Sequence, residues 1–133
     1  MILVDTSVWI DYFNGQENKA TDYLDDCLIE GTVAIGDLIY LEILQGFRAD
    51  RDYRTAKTKL EELTIYEMFG LDAVEQCAKY YRMLRKKGIT VRKTADVIIA
   101  SFCIRNKMPL LFLDRDFVPF VKHLGLTPAL RET

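Results

Sequence analysis

Four short apolar runs, Ile2–Val4, Thr32–Ile35, Thr64–Tyr66 and Leu110–Leu113, punctuate this chain without strict polar alternation. A strand with one wet face alternates in polarity, whereas a strand covered on both faces reads as a continuous hydrophobic run. Helical stretches separate these runs, so the pattern predicts an α/β fold: a parallel central sheet with helices on both faces. With 133 residues, half of them hydrophobic, there is enough apolar material for one core and too little for two. A single domain over residues 1–133 is expected.

The segments between the strands carry helix signals. Ser7 is placed to cap a short helix that ends near Asn14-Gly15. A second helix is expected from Asn18 to Glu30, with acids outward, and Gly36-Asp37 opens another that runs through Gln45. The charged run from Asp50 to Leu63 also reads as helix. Val74, Cys77, Ala78, Tyr81 and Leu84 recur at helical spacing, which predicts a helix over residues 71–87. Thr94 is a candidate cap for an almost wholly apolar helix at 95–105, and a short helix is expected at 117–123.

In parallel α/β sheets, ligands gather beyond the carboxyl ends of the strands. Asp5 and Asp114 each follow a predicted strand, and Asp96 falls in the first turn of a predicted helix. Glu42 interrupts the apolar sequence LIYLEILQG. Each has a structural reading: Asp5 as a helix cap, Glu42 at the margin of an apolar stripe, Asp96 against a helix dipole, Asp114 in a polar turn. Asp116 could cap the helix that starts at Phe117. Convergence is the alternative, and it has a consequence. Two carboxylates roughly 5 Å apart repel by about 3 kcal/mol at an effective dielectric of about 20. A gathered set therefore implies a bound divalent cation. Thr6 and Ser7, next to Asp5, could orient a water or a phosphate oxygen.

Composition narrows the choice of cation. There is one histidine, His123, and the three cysteines, Cys27, Cys77 and Cys103, are widely spaced with no CxxC. A multi-histidine or thiolate zinc site is thus disfavoured, and Mg²⁺ or Mn²⁺ held by carboxylate oxygens remains. The cysteines read as core residues of a reducing compartment. The chain enters its first strand with no basic leader, and no apolar run approaches the ~20 residues of a membrane helix. A cytoplasmic protein without membrane association is expected.

Taken together, LVDTSVWID at 3–11, LEILQG at 41–46, TADVIIA at 94–100 and LFLDRDF at 111–117 resemble the PIN-domain ribonucleases, specifically the VapC-type toxins of bacterial and archaeal toxin-antitoxin pairs. The resemblance spans nearly the whole chain. It implies metal-dependent endonucleolytic cleavage of RNA, leaving 5'-phosphate and 3'-hydroxyl ends. It assigns catalysis to Asp5, Glu42, Asp96 and Asp114, and metal binding to Asp5, Asp96 and Asp114 with Asp116 auxiliary. Many relatives have a polar pair where this chain has Phe112 and Leu113, which leaves the roles of Asp114 and Asp116 to be divided. The resemblance also implies a homodimer and a cognate VapB-type antitoxin, with DNA contacted only through that antitoxin.

The net charge is -2, from 18 basic and 20 acidic side chains, so RNA must be held by a local patch. Arg82, Arg85, Lys86, Lys87, Arg92 and Lys93 form a run without an intervening acid that leads into the helix of Asp96. Their structural reading is a solvated helix end. Arg115 is a further candidate for phosphate contact. Trp9, Tyr12 and Phe13 crowd a short helix with more apolar surface than one core face uses, and are candidates for antitoxin contact. Two alternatives are a receiver-like signalling domain with an acidic Mg²⁺ pocket and a noncatalytic relative that binds RNA or protein. A receiver usually shows adjacent acids after its first strand and a lysine after its last, and this chain has neither. A dehalogenase-type phosphatase is disfavoured because Ser7 occupies the place of the second acid in its DxD motif.

Overall fold

The computed structural model of the chain describes residues 1–130. Four strands, β1 (Ile2–Val4), β2 (Val33–Gly36), β3 (Thr64–Tyr66) and β4 (Leu110–Leu111), form one sheet in the order β3-β2-β1-β4. All pairings are parallel, with Leu3 opposite Ala34 on one side and Leu110 on the other. Every residue of β1 and β2 is buried, as their uninterrupted apolar sequence requires. The edge strand β3 is largely exposed. β4 is shorter than the expected Leu110–Leu113. Its free edge is covered by the C-terminal segment, where Leu110 donates to the Thr127 carbonyl and accepts from the Ala129 amide.

Among the described residues seven α-helices accompany the sheet: α1 (Thr6–Phe13), α2 (Lys19–Glu30), α3 (Asp37–Gly46), α4 (Asp50–Glu61), α5 (Val74–Lys86), α6 (Thr94–Arg105) and α7 (Val118–Leu124). The chain steps from β1 to β2 to β3 in one direction, then returns to place β4 on the other side of β1. Parallel crossovers are right-handed, so this reversal puts α5 and α6 on the face opposite α1 to α4. The packing agrees: α1 contacts α2 and α3, and α3 contacts α4, whereas α5 packs against α6 and α7.

Local departures from expectation have local causes. Leu71–Ala73 forms a 3₁₀ turn rather than the start of α5, and this shifts the buried stripe to Ala73, Cys77 and Leu84, leaving Val74 and Ala78 exposed. Ser7 does not cap α1; Asp5 holds that position and Ser7 lies in the first turn. Thr94 is likewise the first residue of α6 rather than its cap. α6 is the central helix of its layer, with Val97, Ile99, Ala100, Phe102 and Cys103 all buried, which explains its apolar circumference. At the end of β2, Met68 lies so close over Gly36 that any Cβ there would collide with its side chain.

Candidate active site

The reversal of strand order falls between β1 and β4, and open α/β sheets hold their sites at such a crevice. Asp5 leaves β1 on one side of it, and Asp114 leaves the β4 region on the other. α6 then brings Asp96 in from the opposite layer. Oxygens of Asp96, Asp114 and Asp116 lie within 4.8 Å of one another. Asp5 and Asp96 are each only 6% exposed, although both are acids.

Their electrostatics record this crowding. Burial, reinforced by Asp5, Asp114 and Asp116, pushes the Asp96 carboxyl up to about 6, with Lys93 opposing. Asp5 is also raised, again chiefly by burial, while the Ser7 hydroxyl and the amides of Thr6 and Ser7 pull the other way. Asp96 Oδ2 is buried without a hydrogen-bond partner. A buried carboxylate that lacks a donor and faces further acceptors is costly unless a cation is supplied. The donor set fits a hard divalent ion: it is all oxygen, and His123 lies on exposed surface at the far end of α7.

Glu42 reaches the same edge from α3. It lies beside the inward-facing Ile39 and Ile43, at the margin of the apolar stripe, and its Oε1 accepts from the Thr6 hydroxyl at 2.9 Å. Ser7 donates to Asp5 Oδ2, also at 2.9 Å. Thr6 and Ser7 each donate their hydroxyl proton to a carboxylate, which orients Glu42 and Asp5 and leaves the hydroxyl lone pairs to accept from a water. The capping role considered for Asp116 belongs instead to Asp114, whose Oδ1 accepts from the Asp116 amide at 2.9 Å across the 3₁₀ turn Arg115–Phe117.

The basic run divides in two. Arg82, Arg85, Lys86 and Lys87 are exposed toward the end of α5, with Arg85 lying over the Tyr81 ring. Arg92 and Lys93 stand at the acids themselves, and Arg92 Nη2 donates to Asp116 Oδ1 at 2.7 Å. This ion pair was not anticipated from sequence, because 24 residues separate its members and only the tertiary fold joins them. Arg115 is exposed beside the site.

The aromatic residues of α1 behave differently from one another. Trp9 is wholly buried, stacked on Phe13 and edge-on to Tyr12, which corrects the expectation that it offers surface to a partner. A helix enclosed by α2 and α3 has more than one face to bury. Tyr12 and Phe13 remain partly exposed; Lys59 of α4 donates to the Tyr12 hydroxyl, and Phe13 meets Phe47 edge to face.

The parallel sheet has a switch point that gathers acids following β1, on α6 and in the turn after β4, and the chain belongs to the PIN-domain family, whose profile matches residues 2–120. Within that family it is 31% identical over 131 residues to a VapC ribonuclease of Mycobacterium bovis and to ribonuclease VapC11 of Mycobacterium tuberculosis, covering 97% of this chain and 98% of each relative. Its fold is similar to that of VapBC2 from Rickettsia felis bound to a promoter DNA fragment, with TM-score 0.78 at 16% identity, covering 99% of this chain and all of the other. A toxin-antitoxin complex from Klebsiella pneumoniae gives 0.69 at 17% identity with the same coverage. FitAcB from Neisseria gonorrhoeae gives 0.68 at 20% identity, covering 89% and 91% of the two chains. At these identities the structural likeness is one of fold.

Proposed function

We propose that this chain is the toxin of a VapBC-type pair, an endoribonuclease that hydrolyses RNA phosphodiester bonds and is silenced by a cognate VapB-type antitoxin. Similarity to VapC ribonucleases over nearly the full length, at 31% identity, supports the class of activity. The observation that carries the chemistry is Asp96, buried with an unpartnered oxygen beside Asp114 and Asp116. Mg²⁺ or Mn²⁺ is the cofactor that such a donor set favours, held by Asp5, Asp96 and Asp114 with Asp116 auxiliary. When bound, such an ion supplies Lewis-acid activation of the scissile phosphate and of the attacking water.

The side chains divide the remaining work. Glu42, fixed by Thr6, stands next to Asp5 and is assigned the orientation or deprotonation of the attacking water. Ser7 holds the Asp5 carboxylate in one direction. No histidine is required as base, and attack by water rather than by the ribose 2'-hydroxyl leaves 5'-phosphate and 3'-hydroxyl ends. The exposed Arg82, Arg85, Lys86, Lys87 and Lys93, with Arg115, track the RNA backbone toward the acids. Antitoxin contact is assigned to the exposed parts of Tyr12 and Phe13, next to the exposed Ile10. A homodimer in the cytoplasm completes this reading; no helix among the described residues is long and apolar enough to cross a membrane.

Purified protein should cleave single-stranded RNA in Mg²⁺ or Mn²⁺ and stop on addition of EDTA, as read on a gel with end-labelled substrate. Full cleavage in EDTA, or cleavage restored by zinc alone, overturns the assignment.

A further inference from the structure

Among the described residues, one cation of the protein itself already touches the acid cluster. Arg92 Nη2 sits 2.7 Å from Asp116 Oδ1, while the oxygens of Asp116, Asp96 and Asp114 lie within 4.8 Å of one another. A carboxylate within reach of an incoming divalent ion is therefore occupied by a guanidinium. We propose that Arg92 is a positioning residue that competes with the divalent ion for Asp116, a resident cation that lowers metal affinity and is released when the ion binds. This inference rests on the nuclease reading above and adds a control on its cofactor.

Competition, rather than scaffolding, follows from what else holds Asp116. Its amide is fixed to Asp114 Oδ1, and the 3₁₀ turn containing it ends at the wholly buried Phe117. The backbone at Asp116 is thus set without Arg92. The Arg92 side chain is 75% exposed and that of Asp116 is 24% exposed. An exposed ion pair of this kind contributes little to folding, so it can open without disturbing the fold. Arg92 lies on the connection between α5 and α6, two residues before the helix that presents Asp96, and no hydrogen bond ties its guanidinium to any second acid among the described residues. A guanidinium displaced from Asp116 remains beside the site, where a phosphate oxygen can receive its paired N–H donors.

The test is calorimetric titration of Mn²⁺ into the full chain, with Arg92→Gln, Asp116→Asn and the double variant beside the parent. Arg92→Gln should bind Mn²⁺ roughly two- to five-fold more tightly, the range expected for releasing one exposed ion pair. The gain should vanish in the Asp116→Asn background and shrink in high salt, where exposed charges are screened. Unchanged or weaker binding in Arg92→Gln overturns the inference, and so does a gain that persists without Asp116. A parent that binds no divalent ion brings down the metal-dependent reading itself, which separates that failure from failure of the Arg92 assignment alone.

Discussion

Asp96 shows how a single residue can be unfavourable for the fold and yet belong to the proposed site. Its carboxyl is buried on the first turn of α6, lacks a donor on Oδ2, and is raised to about 6 by burial and by Asp5 and its other acidic neighbours. A raised carboxyl binds its proton more tightly in the folded protein than in the unfolded chain. Stability of the metal-free protein therefore falls as pH rises from about 4 to about 6 and stays low above that. A shift from 3.8 to about 6 corresponds to about 3 kcal/mol at full weight, and solvent reaching the site reduces this. Asp96→Asn removes the titration while keeping the volume. In EDTA, the variant should melt above the parent at pH 7, with the difference closing toward pH 4. In Mn²⁺ the order should reverse, because the variant loses a ligand. Thermal melting across both series checks the assignment; parallel pH profiles for the two proteins would show that Asp96 is not the strained group.

The elements were legible in sequence where burial alone decides them. The continuous apolar runs of β1 and β2 mark strands covered on both faces, and the all-round apolar sequence of α6 marks a helix inside its layer. The position of Asp5 at the carboxyl edge of the sheet was legible for the same reason, since it directly follows a buried parallel strand, whereas Asp114 stands three residues past the end of the shortened β4. What depends on tertiary partners was not legible. The start of α5 is displaced by a 3₁₀ turn, Thr6 is drawn to a glutamate 36 residues away, and Arg92 finds Asp116 only in the fold. The aromatic residues of α1 give the sharpest case, because sequence weighs Trp9 and Tyr12 alike while the structure buries one and half-exposes the other. Trp9→Ala should cost about 3 to 5 kcal/mol through the cavity it leaves. Tyr12→Ala gives up mainly its hydrogen bond from Lys59 and part of its packing, and should cost about 1 to 2 kcal/mol. Denaturant unfolding in EDTA measures both, and a Trp9→Ala variant as stable as the parent would contradict the enclosed packing of α1.

At the scale of the whole molecule, an acidic chain proposed to cleave RNA must segregate its charge. The net charge is -2, and the edge that gathers the acids adds negative charge of its own, so long-range attraction for a polyanion is absent. The exposed cations toward the end of α5 are placed to offset this, because α5 and α6 pack together and the connection between them delivers the chain to Asp96. Arg85 and Lys86 also face the carbonyl end of α5, where basic side chains complement the helix dipole without any RNA. Salt dependence separates the two roles. Each phosphate contact to a single strand contributes about 0.7 to the slope of log K against log salt, so replacing Arg85, Lys86 and Lys87 by Ala should flatten the slope by up to about 2. Binding of a labelled single-stranded RNA in EDTA, where cleavage is blocked, gives that slope directly across a salt series. A flattened slope with unchanged Mn²⁺ affinity places these residues on the RNA backbone and away from the acids. An unaltered slope accompanied by a small loss of thermal stability returns them to the helix end, and the RNA path must then run over Lys93 and Arg115.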